Sequence, residues 1–221
     1  AKERSFSADP AVVTRHGLAF IAAHHDAGVL CSLKHFPGHG SSIHDSHHGL
    51  TDITATWSPS ELIPFADIIK QGKADAVMTA HVHNTSLDPD HPATLSKPII
   101  DGILRAELGY GGVVISDDMQ MKAITEHYGY LSALELSINA GVDIILLANG
   151  SASDAQDVPG TIAAIEELVH QGRIPQARIN EAYRRIMLLK GRIGAMTGRP
   201  VNGNRQEPNI PERLMAINGL G

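Results

Sequence analysis

The stretch GGVVISDDM, residues 111–119, contains the pattern that decides the fold. Five glycine or apolar residues lead into Ser116 and then into two adjacent carboxylates, Asp117 and Asp118. A short apolar run without alternation is typical of a strand that is covered on both faces. The two carboxylates would then lie at the carboxyl end of a buried strand.

Three other apolar runs have similar length and character: GVLCSLKHF (28–36), ADAVMTAHVH (74–83) and GVDIILLANG (141–150). Helical patterns separate the four runs, so strands and helices alternate along the chain. This alternation predicts an α/β protein with parallel strands and right-handed crossovers.

Polar residues lie at the tips of three of these strands: Lys34–His35, His81–His83 and Asp117–Asp118. In a (β/α)8 TIM-type barrel the active site is built from such tips. A doubly wound sheet also uses this edge, but no G-x-G-x-x-G turn follows any of the runs. The barrel is therefore the favoured fold.

Four strand–helix units make only half of an eight-fold barrel, which usually needs about 250 residues. We therefore expect residues 1–193 to be the C-terminal half to two-thirds of a barrel domain. The missing strands would come from an N-terminal segment or from another chain. Residues 194–221 are rich in Gly, Pro and Asn and are expected to form a tail.

Two helix starts have readable signals. Ser7 or Asp9 is the expected N-cap of the first helix, with Pro10 in its first turn. In SPSELIPFADIIKQG, residues 58–72, Ser58 and Glu61 have the spacing of a capping box. Pro64 is expected to bend the second turn of that helix.

Composition excludes several classes of function. The net charge of −6 and the lack of a basic stripe argue against nucleic-acid binding. The single cysteine, Cys31, cannot form an internal disulfide. No apolar run approaches the roughly 20 residues that span a membrane.

The segment KHFPGHGSSIHDSHHGLTDI, residues 34–53, holds five histidines in fourteen positions. His35 and His39 have a zinc-like spacing of four, with Asp45 as a third possible ligand. However, Pro37 and Gly38 disfavour a helix there, and no further metal motif accompanies them. Surface exposure is the simplest interpretation of His44 and His48. A metal site is the weakest of the alternatives.

A catalytic interpretation rests on the triplet DSH, residues 45–47. In an extended segment residues i and i+2 point the same way, so Asp45 can orient the imidazole of His47. The second ring nitrogen is then available to transfer a proton. Asp117, fixed at a strand tip, is a candidate nucleophile, whereas Asp118 is expected to be structural.

Four motifs occur in a fixed order, KHFPGHG, DSH, VMTAHV and VVISDDMQM. Together they resemble the family 3 glycoside hydrolases, in the β-N-acetylglucosaminidase branch. The resemblance covers nearly all of residues 4–190. It implies a (β/α)8 barrel and a retaining exo-hydrolase that removes terminal β-linked N-acetylglucosamine from peptidoglycan fragments or chitin-type sugars.

The resemblance also implies roles for individual residues. Asp117 would be the nucleophile that forms a glycosyl-enzyme intermediate, and His47 the acid/base with Asp45 as its partner. Sugar-binding residues would stand at four positions: Arg4, Lys34, His35 and His81. No metal and no other cofactor is implied, and the partner is a small carbohydrate.

Other functions remain open at this stage. A phosphorylase would use phosphate as the acceptor, and a histidine acid/base would repel phosphate less than a carboxylate would. An inactive sugar-binding fragment is a second alternative, although binding alone needs no proton transfer. Both a bacterial cytoplasmic location and export fit the sequence, and neither the natural aglycone nor the oligomeric state follows from it.

Overall fold

The protein is described by a computed structural model that covers residues 5–42, 51–148 and 157–197. Four parallel strands form its main sheet, and two short strands pair beside it. The strands are β1 (Ser32–Phe36), β2 (Thr51–Asp52), β3 (Ala76–Thr79), β4 (Val82–His83), β5 (Val113–Asp118) and β6 (Ile144–Leu146). The order of the main sheet is β1–β3–β5–β6, and β2 pairs with β4. All four predicted strands are thus confirmed.

Helices precede, connect and follow the strands of the main sheet. They are α1 (Pro10–Asp26), which precedes β1; α2 (Ile63–Lys70), between β1 and β3; α3 (Lys122–Tyr128) and α4 (Tyr130–Ala140), between β5 and β6; and α5 (Val158–His170) and α6 (Gln176–Thr197), after β6. A π-helix spans Pro98–Glu107, and 3₁₀ turns span Pro59–Leu62 and Ala93–Leu95. The alternation of strands and helices confirms the predicted α/β class with parallel pairing. α6 continues to Thr197, beyond the predicted domain end at residue 193.

The N-cap prediction for α1 is confirmed at Asp9. Its Oδ1 accepts a hydrogen bond from the backbone N–H of Ala11 at 2.8 Å, and Pro10 opens the helix. Proline is favoured in this first turn because its missing N–H has no partner there in any helix. Ser7 instead accepts a bond from the backbone N–H of Asp9.

The predicted capping box of Ser58 and Glu61 is only half formed: Ser58 is a cap, but Glu61 does not bond back to it. Ser58 caps a 3₁₀ turn, and its hydroxyl accepts from the backbone N–H of Ser60 at 3.3 Å. The Glu61 carboxylate reaches across to Gly40 and Ser41 instead of back to the cap. Pro64 lies in the first turn of α2 rather than in a second turn, and its missing N–H has no helical partner there.

The main core fills the space between the sheet and the helices that cover it. Fully buried apolar side chains from the strands and from the π-helix meet there: Phe36, Val77, Val114, Ile99, Ile100 and Leu104. Ile99 and Leu104 of the π-helix are both completely buried. Burying each such side chain stabilises the fold by about 1.5–3 kcal/mol.

Two buried carboxylates precede strands at the amino-terminal edge of the sheet. Asp75 precedes β3 and accepts hydrogen bonds from His25 and from the backbone N–H of Cys31, both at 2.7 Å. Asp143 precedes β6 and pairs with three arginines, two of them on α6. α6 therefore packs against the edge opposite to the strand tips.

Candidate functional site

Three of the predicted site segments meet at the carboxyl-terminal edge of the main sheet. Lys34 and His35 lie near the end of β1, His81 lies two residues after β3, and Asp117 and Asp118 end β5. The strand β3 lies between β1 and β5, so the tips of β1 and β5 are about 10 Å apart at the usual strand spacing.

The two adjacent carboxylates of β5 make different contacts. Asp118 Oδ1 accepts hydrogen bonds from the backbone N–H groups of Gln120 and Ala148, each at 3.1 Å. These bonds fix the turn after β5 and join it to the segment after β6. Asp117 Oδ1 accepts only one bond among the described residues, from the backbone N–H of Asp118 at 2.9 Å. The Asp117 side chain therefore contributes less to fixing the backbone than the Asp118 side chain does.

His81 is completely buried between the ends of β3 and β5. Its Nδ1 lies 2.9 Å from the Thr94 hydroxyl, and its Nε2 lies 2.9 Å from the backbone carbonyl oxygen of Asp118. Burial lowers the pKa of the imidazole, against the opposing pull of the Asp117 and Asp118 carboxylates. Both ring nitrogens are occupied by protein atoms, so this geometry gives no support to the predicted contact between His81 and substrate.

Lys34 and His35 present polar groups at the tip of β1. The Lys34 side chain is exposed, whereas His35 is half-buried and its ring packs edge-on against His39, with ring centroids 5.9 Å apart. His39 in turn bonds through Nδ1 to the Ser42 hydroxyl. The peptide bonds Lys34–His35 and Phe36–Pro37 are both cis.

Glu61 anchors Gly40 and Ser41, in the first part of the histidine-rich segment 34–53. Its Oε2 accepts from the backbone N–H of Gly40 at 3.2 Å, and its Oε1 accepts from the Ser41 hydroxyl at 2.6 Å. Gly38 passes so close that a Cβ there would lie 2.6 Å from the Glu61 carboxylate, and its φ of +126° also favours glycine. The indole N–H of Trp57 donates to the Pro37 carbonyl at 3.0 Å. Residues 37–41 therefore have a defined path.

Several predicted site residues fall outside the described ranges. They are Arg4, Asp45 and His47, so their predicted roles stay predictions. His44 and His48, which were expected to be exposed, also lie outside these ranges. Within residues 5–42, 51–148 and 157–197, no group of three or more His, Cys, Asp or Glu side chains could hold a metal ion. In the same ranges, no helix has both the length and the apolar character needed to cross a membrane.

Two contacts that shape the strand tips could not be predicted from sequence patterns. Thr94 reaches His81 from 13 positions away, and Glu61 reaches Gly40 from 21 positions away. No local motif links residues at such separations. The available signals were Gly38 and Gly40, whose close spacing indicates an unusual backbone path.

Comparison with protein families gives one match over most of the chain. Residues 1–189 match the family described as "Glycosyl hydrolase family 3 N terminal domain". The predicted (β/α)8 class is the fold of that domain, and the described residues contain a four-stranded parallel part of it.

Curated relatives and solved structures agree with this match. "Beta-hexosaminidase A" of Pseudoalteromonas piscicida is 36% identical over 206 residues, which are 86% of this chain and 34% of that protein. "Beta-hexosaminidase" of Tolumonas auensis is 40% identical over 68% of this chain and 46% of its own length. A family 3 β-N-acetylglucosaminidase structure from a Paenibacillus species has a TM-score of 0.79 and 38% identity, covering 88% of this chain and 36% of that one. The chain thus spans about a third to a half of the length of these relatives.

Proposed function

The chain belongs to glycosyl hydrolase family 3, and we propose that the protein that carries it is a retaining exo-β-N-acetylglucosaminidase. Its substrates would be peptidoglycan fragments or chitin-type oligosaccharides with a terminal β-linked N-acetylglucosamine. The similarity to proteins named β-hexosaminidases supports hydrolysis over phosphorolysis. The observation that carries the proposal is the unequal use of the two carboxylates at the end of β5.

In this proposal Asp117 is the nucleophile. Its Oδ1 is held by the backbone N–H of Asp118 at 2.9 Å, so the carboxylate is oriented before substrate binds. Asp118 is the weaker candidate because its Oδ1 already accepts hydrogen bonds from two backbone N–H groups. An ester formed through its other oxygen would remove the negative charge and weaken both of the bonds that fix the turn.

The reaction proceeds in two displacements. Asp117 attacks the anomeric carbon while the leaving oxygen takes a proton from His47, which gives a glycosyl ester and an alcohol. Water then attacks the anomeric carbon, His47 takes its proton, and the ester bond to Asp117 breaks. Asp45 would stabilise the imidazolium formed in the second step.

Sugar hydroxyls would be bound at the tip of β1 and by Arg4. Lys34 is exposed and His35 half-buried at this tip, on the same edge of the sheet as Asp117. We further propose that strands outside this chain complete the barrel. Among the described residues β1 and β6 each pair with only one strand of the main sheet, which leaves an edge for a neighbour at both ends.

The test compares an aryl β-N-acetylglucosaminide with the matching β-glucoside, using the protein that carries this chain. Release of the aryl group from the first substrate alone is the expected result, and NMR of the first-formed sugar should show the β-anomer. Preference for the glucoside, or initial release of the α-anomer, would overturn the proposal. A rate that rises with added phosphate, with a sugar phosphate as product, would favour the phosphorylase instead.

A further inference from the structure

A buried chain of hydrogen bonds runs from Thr94 through His81 to the backbone of Asp118. We propose that His81 is a positioning residue, which holds Asp118 so that Asp118 in turn holds the Asp117 carboxylate. The inference rests on the proposed function, in which Asp117 is the nucleophile. It replaces the predicted contact between His81 and the sugar.

The contact between His81 and Asp118 fixes the position of a proton. The Asp118 carbonyl oxygen can only accept a hydrogen bond, so the ring nitrogen 2.9 Å away must carry a proton. His81 Nε2 is therefore an N–H donor. This bond links the end of β3 to the end of β5, two strands that pair side by side.

The other side of the ring contacts Thr94. Its hydroxyl oxygen lies 2.9 Å from His81 Nδ1 and 2.9 Å from the Ala80 carbonyl oxygen. It is also 2.9 Å from the Thr79 hydroxyl, which can donate to it. Burial favours the neutral imidazole, so Nδ1 carries no proton and faces the Thr94 hydroxyl, whose single proton is shared between Nδ1 and the Ala80 carbonyl oxygen. With both nitrogens in contact with protein atoms, the ring has one orientation.

The two backbone groups of Asp118 connect the His81 ring to the Asp117 carboxylate. The backbone N–H of Asp118 donates to Asp117 Oδ1 at 2.9 Å, while the carbonyl of the same residue accepts from His81. The next backbone N–H, of Met119, donates to the Leu146 carbonyl at 3.0 Å. The peptide after Asp118 is thus held from both neighbouring strands. Losing the His81 bond would release one side of it and let the Asp118 N–H turn away from the nucleophile.

A direct role in binding does not fit the position of His81. The residue has 0% of its surface exposed, and neither ring nitrogen is left for a sugar hydroxyl. Its influence on the reaction must pass through the backbone. A displacement of about 1 Å in a reacting group can cost about 100-fold in rate, so a small shift of Asp117 is enough to be measured.

Two amide variants separate the two contacts of the ring. In His81→Gln the amide N–H can reach the position of Nε2 and keep the bond to Asp118. In His81→Asn the shorter amide reaches only the position of Nδ1 and keeps the contact with Thr94. We expect kcat of His81→Asn to fall about 10- to 100-fold and His81→Gln to recover most of it, with KM changed much less. Both variants should lose thermal stability to a similar extent.

The rates should be measured well below the unfolding transitions of all three proteins. Equal kcat values for the two variants would overturn the proposal, since a purely structural residue affects both alike. Nitrogen-15 NMR of the wild-type imidazoles gives a separate test, with His81→Gln identifying the signal. The expected ring is neutral, with its proton on Nε2, at pH 7 and above. A proton on Nδ1 in an active enzyme would overturn the role of His81 alone, whereas a wild type without glycosidase turnover would overturn the proposed function.

Discussion

Asp143 offers the sharpest test of what holds the sheet together. Its side chain is 0% exposed, and its two oxygens receive hydrogen bonds from Arg105 at 3.0 Å, from Arg185 at 3.1 Å and from Arg178. The backbone N–H of Val114 also donates to it at 3.0 Å. Asp143→Asn keeps the shape of the side chain and removes its negative charge. Three arginine side chains, each only 10–12% exposed, would lose their common partner.

The cost follows from the burial of these charges. Breaking a buried ion pair by removing one partner typically costs about 3–5 kcal/mol, because the other charge stays buried and uncompensated. Glu181 remains within 3.3 Å of Arg178 and 2.9 Å of Arg185, which keeps the loss inside this range. For a domain of this size such a loss lowers Tm by roughly 10 °C. Asp143 lies at the amino-terminal edge of the sheet, so kcat below the transition should not change.

Urea denaturation of the protein that carries this chain, followed by circular dichroism, measures the loss. The matched control is Glu126→Gln, which breaks an exposed pair with Lys122 at 3.7 Å, with the two side chains 62% and 76% exposed. This control should change stability by less than about 0.5 kcal/mol. The reasoning is refuted if Asp143→Asn costs less than about 1 kcal/mol, or no more than the control.

Four further outcomes are expected. Asp117→Asn should abolish turnover and leave substrate binding largely intact, whereas Asp118→Asn, whose amide oxygen still accepts both backbone bonds, should retain turnover; the opposite pattern would move the nucleophile to Asp118. His47→Ala should slow substrates with poor leaving groups far more than activated aryl glycosides, and equal losses would contradict an acid/base role. Glu61→Ala should lower the free energy of unfolding by about 1–3 kcal/mol, because the Gly40 N–H and the Ser41 hydroxyl both lose their acceptor; an unchanged urea midpoint would contradict this anchor. Burial lowers the pKa of His81 in the folded protein, so the unfolded chain takes up a proton first as the pH falls. The free energy of unfolding should therefore not depend on this group above about pH 6.5, and should decrease below that pH by at most about 1.4 kcal/mol per pH unit. The variant His81→Gln should lack this part of the decrease.

The strands could be predicted because burial on both faces restricts their composition. The run at 111–119 encloses β5, and the run at 74–83 encloses both β3 and β4. The end of the last helix was harder to place, because α6 continues to Thr197, past the predicted domain end at residue 193.

The contacts that organise the strand tips could not be predicted, because they join residues that are distant in sequence. Glu61 is an example, because a contact with a distant segment replaces the capping-box bond that the local pattern predicts. Its backbone N–H bonds to the Ser58 carbonyl in a tight 3₁₀ turn, and its carboxylate is then used by the Gly40 N–H and the Ser41 hydroxyl. The position of Asp117 at a strand tip was predictable from the apolar run before it. Its support by His81 through Asp118 was not.

The two ends of the strands have different roles: residues at the amino-terminal ends stabilise the fold, and residues at the carboxyl-terminal ends hold the candidate catalytic group. At the amino-terminal edge, Asp75 and Asp143 are buried carboxylates neutralised by basic side chains, among them Arg192, Arg178 and Arg185 of α6. At the carboxyl-terminal ends of the strands, hydrogen bonds through the backbone of Asp118 join His81 to the Asp117 carboxylate. Each of those bonds contributes only about 1–3 kcal/mol to stability, yet together they set the direction of a reacting group. A substitution at Asp143 should therefore change Tm without changing kcat, whereas His81→Asn should lower kcat well beyond what its smaller loss of stability explains.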